Sequence, residues 1–171
     1  MKLSKNCNRL TIRRPAVERV FFCLEKSDAV TEKDSDILAR TLWGEARGES
    51  LAGQIAVAWT IRNRVSDGNA RSWWGEGYAS VCLAPYQFRC WNKNDPNYQY
   101  LSGAKAIPFR ELAQAWIAAD QVIDGKIAEP AGGAMHHHAT SINAPAWTAK
   151  AKQTLKLGGH VFFQRCAVTV R

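Results

Sequence analysis

The sequence predicts one α+β domain that is predominantly helical and carries a small β element. The chain has 171 residues, which suffices for a single domain with its own core but is short for two. Apolar residues recur at helical spacing in three separate segments. Strand-like patterns are short and fall near the end of the chain.

The first helical segment is SDILARTLWGEAR, for which Asp34 or Ser35 is a suitable N-cap. At about 100° per residue, Leu38, Leu42 and Glu45 fall on one stripe of this helix. The stripe is otherwise apolar, so the helix is predicted to place the carboxylate of Glu45 on its buried face.

The second helical segment is LAGQIAVAWTIRNRV, at positions 51–65. It is apolar on nearly all sides, which favours a central helix covered by its neighbours. Gly48 can end the first helix, and Ser50 can cap the second. The residues SDGN that follow are a turn signal and mark its end.

Residues 70–108 are rich in glycine, proline, asparagine and aromatic residues, and are predicted to be a long loop of functional importance. A third helix is predicted from about Phe109 to Asp124, with Gly125 as its stop. Three short elements follow: AMHHHAT as a strand, PAWTAKAKQTLKL as a short helix and GGHVFFQRC as a closing strand.

The chain is basic, with a net charge of +8 and an isoelectric point near 9.5. Such a surface attracts nucleic acid, anionic membranes or anionic envelope polymers. The usual nucleic-acid-binding motifs are absent from the sequence, so no nucleic-acid partner is expected. Residues 1–33 are predicted to form a basic N-terminal arm, and residues 34–171 the folded domain.

No stretch of the sequence approaches the ~20 apolar residues that span a bilayer, so stable membrane insertion is not expected. The basic N-terminus lacks the apolar core of a secretion signal. We therefore expect synthesis in the cytoplasm. A substrate beyond the inner membrane would require another route of passage.

The five cysteines are an odd number, so they cannot all pair within one chain. Cys82 and Cys90 flank the short segment LAPYQFR. They can form a disulfide that staples this loop after export, or they can be two buried thiols. The sequence leaves both interpretations open.

Glu45 is the first candidate for chemistry. Its position on an apolar stripe disfavours the charged form, and a neutral carboxylic acid is what glycosidic bond cleavage needs as a general acid. Gly44 and Gly48 would let a bulky ligand approach the backbone. The alternative is a helix-end glutamate paired with Arg47. Glu49 lies near the start of the next helix, where the helix dipole favours an acidic residue in a structural role.

Aromatic side chains crowd the long loop and alternate with polar ones, as in a carbohydrate-binding cleft. The alternative is that some of these rings close the core. The aromatic residues are Trp73, Trp74, Tyr78, Tyr86, Phe88 and Trp91, and the interleaved polar residues are Gln87, Arg89 and Asn92.

Three histidines are candidate ligands or substrate contacts. If AMHHHAT is a strand, His136 and His138 lie on one face, and His160 lies on the predicted partner strand. Three imidazoles near a glutamate could hold zinc, as in an amidase or peptidase. No HExxH helix accompanies them, so hydrogen-bonding or substrate-contacting roles are preferred, and no metal or cofactor is expected.

Several motifs together resemble the spore-cortex-lytic family of bacterial and phage cell-wall hydrolases. They are TLWGEARGES with the following apolar helix ending in NRV, then SVCLAPYQFRCW, GAMHHHA, PAW and GGHVFF, over about residues 35–165. Envelope-acting relatives usually carry a motif like THYHA. Here it is MHHHA, so that His136 and His138 match while His137 replaces the tyrosine.

The resemblance implies a lysozyme-like or lytic-transglycosylase-like domain that cleaves peptidoglycan between N-acetylmuramic acid and N-acetylglucosamine. It implies that Glu45 is the catalytic acid and that Glu49, Cys82 and Cys90 have supporting or structural roles. The residues then expected to contact the glycan are Tyr86, Gln87, Phe88, Trp91, His136 and His138.

The implied mechanism needs one carboxylate and no metal. Glu45 protonates the glycosidic oxygen, and an oxocarbenium-like centre develops at muramic acid. Attack by the sugar's own 6-hydroxyl, with Glu45 then acting as base, gives the 1,6-anhydro product of a lytic transglycosylase. Attack by water gives a lysozyme-type hydrolase instead, and the transglycosylase is preferred.

The expected enzyme is a monomer that acts on the cell wall in the periplasm or envelope. The absence of a recognisable secretion signal fits a phage endolysin released by a holin-type membrane-lesion protein. Two other classes compete with this interpretation. One is a metal-dependent peptidoglycan amidase that uses the histidines, and the other is a non-catalytic glycan- or nucleic-acid-binding protein.

Overall fold

The computed structural model describes residues 31–67 and 74–164. The N-terminal arm, apart from its last residues, and Trp73 lie outside the described residues. The helices are α1 (Glu32–Ala46), α2 (Leu51–Val65), α3 (Gly77–Leu83), α4 (Tyr98–Leu101) and α5 (Phe109–Ile123), and the strands are β1 (His136–Ala139), β2 (Lys152–Leu157) and β3 (His160–Gln164). The predicted α+β fold, mainly helical with a small sheet, is confirmed.

Helix α1 begins earlier than predicted. Thr31, not Asp34 or Ser35, is the N-cap, because its hydroxyl accepts from the backbone N–H of Asp34 at 3.2 Å while the Asp34 carboxylate accepts from the Thr31 N–H at 3.1 Å. Asp34 also accepts from the backbone N–H of Ala79 at 2.8 Å, which ties α3 to the start of α1.

Helix α2 has the predicted bounds. The Ser50 side chain caps it by accepting from the backbone N–H of Gly53 at 3.3 Å. Residues on several of its sides, among them Ala56, Val57 and Ile61, are fully buried. The helix is therefore central, as its apolar sequence predicted.

The segment 70–108 is more helical than predicted. Within its described part lie α3, α4 and a 3₁₀ turn at Arg89–Trp91. These elements are too short to be stable alone, and they form because they pack on the helical core. In α3, Tyr78, Val81 and Cys82 are buried.

Helix α5 follows the prediction, with Asp124 as C-cap and Gly125 in the left-handed conformation at φ +66°. Its buried stripe of Ala115, Ala118, Ala119 and Val122 packs against α1 and α2. The small side chains allow the three helices to approach closely. No helix in residues 31–67 or 74–164 is both long and apolar enough to cross a bilayer.

The sheet has the order β1-β3-β2, and both pairings are antiparallel. The strands predicted in AMHHHAT and GGHVFFQRC are confirmed, and they pair as expected. The helix predicted in PAWTAKAKQTLKL is wrong beyond the 3₁₀ turn Ala146–Lys150, because the remainder forms β2 against β3. Phe162 of β3 is fully buried and joins the sheet to the helical core.

Candidate active site

A groove of about 430 Å³ lies where the end of α1 meets the loop after α3 and the sheet. Its wall carries one carboxylate among the described residues, together with imidazoles, arginines and aromatic rings. Its lining residues include Glu45, Arg64, Tyr86, Gln87, Phe88, His137, His138, Trp147 and His160.

Glu45 lies in the last turn of α1. Leu38 and Leu42 on the same stripe have no exposed surface, whereas Glu45 is half-buried because the stripe reaches the groove at this point. The backbone N–H of Cys90 donates to Glu45 Oε1 at 3.4 Å. The carboxylate is thus held from the 3₁₀ turn while it lines the groove.

Gly44 does not serve ligand approach, contrary to the prediction. A Cβ at this position would lie 2.7 Å from Cys90 Cβ and 2.8 Å from its Sγ. The missing side chain therefore lets the 3₁₀ turn pack directly on α1. At Gly48 a Cβ would have no neighbour within 4 Å.

Arg64 was not among the predicted site residues. It is 5 % exposed, and its Nε donates to Met135 O at 2.7 Å while one terminal nitrogen donates to Gln87 Oε1 at 3.3 Å. Its guanidinium lies 4.5 Å from the ring centroid of Trp74 and 5.1 Å from that of Phe88. Burial lowers the pKa of Arg64 to about 10, so it remains a cation at neutral pH.

The loop after α3 brings three predicted residues to the groove. Tyr86 is 93 % exposed and has a φ of +64°, a conformation rarely adopted by a bulky residue. Gln87 accepts from Arg64, and Phe88 is 3 % exposed behind the wall. Such an outlier at a groove is typical of a functional loop, because the surrounding structure must maintain the strained conformation.

Trp91 is not brought to this groove, contrary to the prediction. Its indole N–H donates to the Thr41 hydroxyl at 2.9 Å. Its ring lines a separate cavity of about 460 Å³ with Arg40 and Tyr98. The 3₁₀ turn explains this placement. It directs the backbone N–H of Cys90 toward Glu45, while the next side chain, Trp91, points to Thr41.

The strand places the histidines on two faces. His136 and His138 share one face, as predicted, while His137 pairs with Phe162 and shares the other face with His160. The three imidazoles considered for zinc are therefore divided between the faces. The described residues contain no group of three or more His, Cys, Asp or Glu side chains arranged to hold a metal ion.

His138 lines the groove, whereas His136 does not. The His138 ring stacks on Phe163 at 5.5 Å and 20°, with Trp147 edge-on at 6.0 Å. His136 lies between Trp74 and Trp147, at 5.3 and 5.2 Å between ring centroids. The face of the strand that carries His136 is thus predicted correctly, but His136 is not part of the groove wall.

His137 faces the core side of the groove. Its Nδ1 lies 3.3 Å from the Thr60 hydroxyl, and its ring packs on Phe88 and Phe162. Burial, and then the positive charge of Arg64, lower the pKa of His137 well below its usual value. The imidazole that replaces the tyrosine is therefore neutral.

Glu49, for which a supporting role is predicted, contacts the β2–β3 turn and the first residue of β3. Both of its carboxylate oxygens accept from the backbone N–H of Gly159 at 3.1 Å. Its Oε1 lies 3.4 Å from His160 Nδ1, and its carbonyl accepts from the Gln114 side chain. Glu49 thus joins the α1–α2 connection to the β2–β3 turn.

Cys82 and Cys90 are free, buried thiols. The sequence allowed either a disulfide or two buried thiols, and the structure has two buried thiols. Burial raises the pKa of Cys82 to about 12 and raises that of Cys90 further, with the Glu45 charge adding to the effect at Cys90. Both groups are thus protonated at neutral pH.

Two groove residues were missed although their motifs were recognised. Arg64 belongs to NRV, but an arginine at a helix end ordinarily faces solvent. Trp147 belongs to PAW, is 39 % exposed and packs edge-on against Phe163 at 5.2 Å. Only the folded chain shows that Arg64 and Trp147 line the same groove as Glu45.

The chain is similar in fold and in sequence to known proteins. The catalytic domain of the germination-specific lytic transglycosylase SleB from Bacillus anthracis superposes with a TM-score of 0.59 at 25 % identity, covering 80 % of this chain and 98 % of that one. The SleB catalytic domain from Bacillus cereus has the same fold, with a TM-score of 0.59 at 24 % identity over 80 % of this chain and 94 % of its own.

Among curated proteins, a spore cortex-lytic enzyme from Halalkalibacterium halodurans is 25 % identical over 132 residues, which are 77 % of this chain and 35 % of that protein. The chain therefore spans about a third of the length of this relative. The model of the cell wall hydrolase family matches residues 48–163, beginning just after Glu45. By that match the chain belongs to the cell wall hydrolase family.

Proposed function

We propose that this protein cleaves the glycan strand of peptidoglycan between N-acetylmuramic acid and N-acetylglucosamine, as a lytic transglycosylase with Glu45 as the general acid. The observation that carries the proposal is the isolated carboxylate of Glu45 in an aromatic-lined groove. The likeness to the catalytic domain of a lytic transglycosylase supports it. Residues 34–171 would form the catalytic domain, and the family match lies within them.

Glu45 suits the acid role by its surroundings. It lines the groove, and the backbone N–H of Cys90 donates to its Oε1, which orients the carboxyl group. Proton transfer to the glycosidic oxygen breaks the bond to muramic acid C1 and leaves an oxocarbenium-like centre. The carboxylate that remains stabilises this positive charge.

The aromatic groups would bind the sugars. Tyr86 and Trp147 are exposed aromatic residues of the groove, and aromatic rings suit the apolar faces of pyranose rings. His138 lines the groove beside Trp147. Gln87 and Phe88 would act behind them, since they hold and cover Arg64. Trp91 and His136 are left out of this proposal because they do not line the groove.

A lysozyme-type hydrolase is the second candidate, because the same acid can serve attack by water. A retaining or inverting pair of carboxylates would normally support it, and Glu45 is the one carboxylate on the described wall of the groove. This favours attack by the 6-hydroxyl of muramic acid. A metal-dependent amidase is not favoured, because the sheet separates His136 and His138 from His160.

The place of action would be the cell wall. The positive charge of the chain favours approach to an anionic envelope. Action as a monomeric endolysin, in the periplasm and with a holin-type protein providing access, stays a prediction from the sequence.

Mass spectrometry of soluble products from purified peptidoglycan tests the proposal. We expect fragments that end in 1,6-anhydro-muramic acid. Fragments with reducing muramic acid ends would show the hydrolase instead. Free stem peptides with intact glycan strands would contradict both forms of the proposal.

A further inference from the structure

We propose that His160, oriented by Glu49, is a second catalytic residue that accepts the proton of the attacking hydroxyl. The inference deepens the proposed function and rests on it. It assigns the base to an imidazole, so that the general acid Glu45 need not serve in both roles.

His160 is placed for contact with both Glu49 and the groove. It is 6 % exposed, and its ring forms part of the groove wall that also carries Glu45. Its buried Nδ1 makes no hydrogen bond within the described residues, and it lies 3.4 Å from Glu49 Oε1. A proton on Nδ1 is stabilised by the carboxylate, which leaves Nε2 as the ring nitrogen with a free electron pair.

Glu49 is itself held rigidly. Its two oxygens accept from the Gly159 N–H, and a Cβ at Gly158 or Gly159 would lie 2.0 or 2.6 Å from one of them. A side chain at either glycine would therefore displace the carboxylate. Such a carboxylate can fix the orientation and tautomer of the imidazole, as an orienting group does for a general base.

Other groups on the groove wall are less suited to this role. His137 is turned to Thr60, and burial together with the charge of Arg64 lowers its pKa well below the usual value. His138 has its Nδ1 at 2.9 Å from the carbonyl oxygen of Ala139 and its ring stacked on Phe163. His160 is the imidazole on this wall that contacts a carboxylate.

The reaction then balances as follows. Glu45 gives its proton to the oxygen that leaves muramic acid C1, and the C1–O bond breaks. The muramic acid 6-hydroxyl forms the new bond to C1, and its proton passes to Nε2 of His160. Glu49 stabilises the imidazolium, and proton exchange with solvent then returns both groups to their starting states.

Chemical rescue tests this assignment. In His160→Ala, we expect the rate of glycan fragment release to fall by about 10²- to 10⁴-fold, the usual contribution of a general base. Added imidazole should restore part of that rate, since a free base can occupy the vacated space. Glu45→Gln should show no rescue, because its missing group is the acid.

Two further variants keep the test decisive if His160→Ala unfolds. Glu49→Gln retains an acceptor for the Gly159 amide but removes the charge, so we expect a reduced kcat with KM little changed. Gln153→Ala, at an exposed site on β2, should match the wild type.

A folded His160→Ala or Glu49→Gln protein with the wild-type rate would overturn the inference. A slow His160→Ala protein that imidazole does not rescue would overturn it as well. Wild-type protein that releases no glycan fragments would overturn the proposed function itself.

Discussion

The backbone N–H of Cys90 donates to Oε1 of Glu45 at 3.4 Å, across 45 positions of sequence. This contact joins the last turn of α1 to the 3₁₀ turn that follows the loop after α3. It explains how a glutamate from an otherwise apolar helical stripe is held at a groove. The position of the Glu45 carboxylate therefore depends on how the 3₁₀ turn Arg89–Trp91 packs against α1.

Glu45→Gln should abolish most activity and leave the fold intact. Glutamine retains an oxygen acceptor for the Cys90 amide but cannot protonate the glycosidic oxygen. We expect at least about a 10²-fold loss in the release of soluble peptidoglycan fragments, with an unchanged thermal melting curve. Glu76→Gln is the matched control, because Glu76 is exposed and its side chain makes no cap hydrogen bond. A fully active Glu45→Gln enzyme would refute the assignment of the acid.

Gly44→Ala should destabilise the protein and impair activity together. The new methyl would lie 2.7 Å from Cys90 Cβ, so the 3₁₀ turn must move away from α1 and from Glu45. We expect the free energy of unfolding to fall by about 1–3 kcal/mol, as in other overpacked cores. Denaturant unfolding measures this effect. The control Gly48→Ala, where a Cβ meets open space, should be neutral or slightly stabilising, and equal behaviour of the two variants would contradict the packing argument.

Changes at Tyr86 should separate stability from activity. Tyr86→Gly relieves the strained φ of +64° and should raise the free energy of unfolding by about 1 kcal/mol, while the lost ring weakens glycan binding. Tyr86→Ala loses the ring but keeps the strain, so it should show the binding defect without the gain in stability. Unfolding curves and KM on peptidoglycan fragments measure the two effects. A Tyr86→Ala enzyme with an unchanged KM would show that the ring does not contact substrate.

The thiols of Cys82 and Cys90 should be unreactive in the native protein. Both are buried, and burial keeps them protonated. In a variant with Cys7, Cys23 and Cys166 replaced by serine, a thiol reagent should react slowly before denaturation and with two groups after it. Reaction that requires prior reduction would reveal a disulfide instead.

Stability should fall as the pH rises above the ordinary thiol range. Burial raises the pKa of Cys82 from 9.0 in the unfolded chain to about 12, so between these values the unfolded chain loses a proton that the folded chain keeps. This stabilisation is complete below pH 9.0 and is lost as the pH rises, by about 1.4 kcal/mol at about pH 10. Urea unfolding between about pH 8 and about pH 10 measures it, and Cys82→Ala should reduce the slope to the part that Cys90 contributes. An equal slope in both proteins would contradict it.

Local patterns were sufficient for the main helices. Ser50 and the all-round apolar run after it gave the bounds of α2, and Gly125 marked the end of α5. The start of α1 was missed by a few residues because Thr31 and Asp34 form a reciprocal cap, and both Asp34 and Ser35 are also good cap residues. The short elements α3 and α4 were missed because their stability comes from packing and not from their own sequence.

By itself the sequence determined the helical core, the strand character of the histidine segment and the place of Glu45 on the apolar stripe of α1, since these depend on spacing within one segment. The tertiary structure decided which side chains share the groove. It brought Arg64 in, turned Trp91 away, put His160 on the face of His137 and placed Glu49 against His160. These outcomes depend on strand register and on contacts between residues far apart in the chain, which no local periodicity encodes.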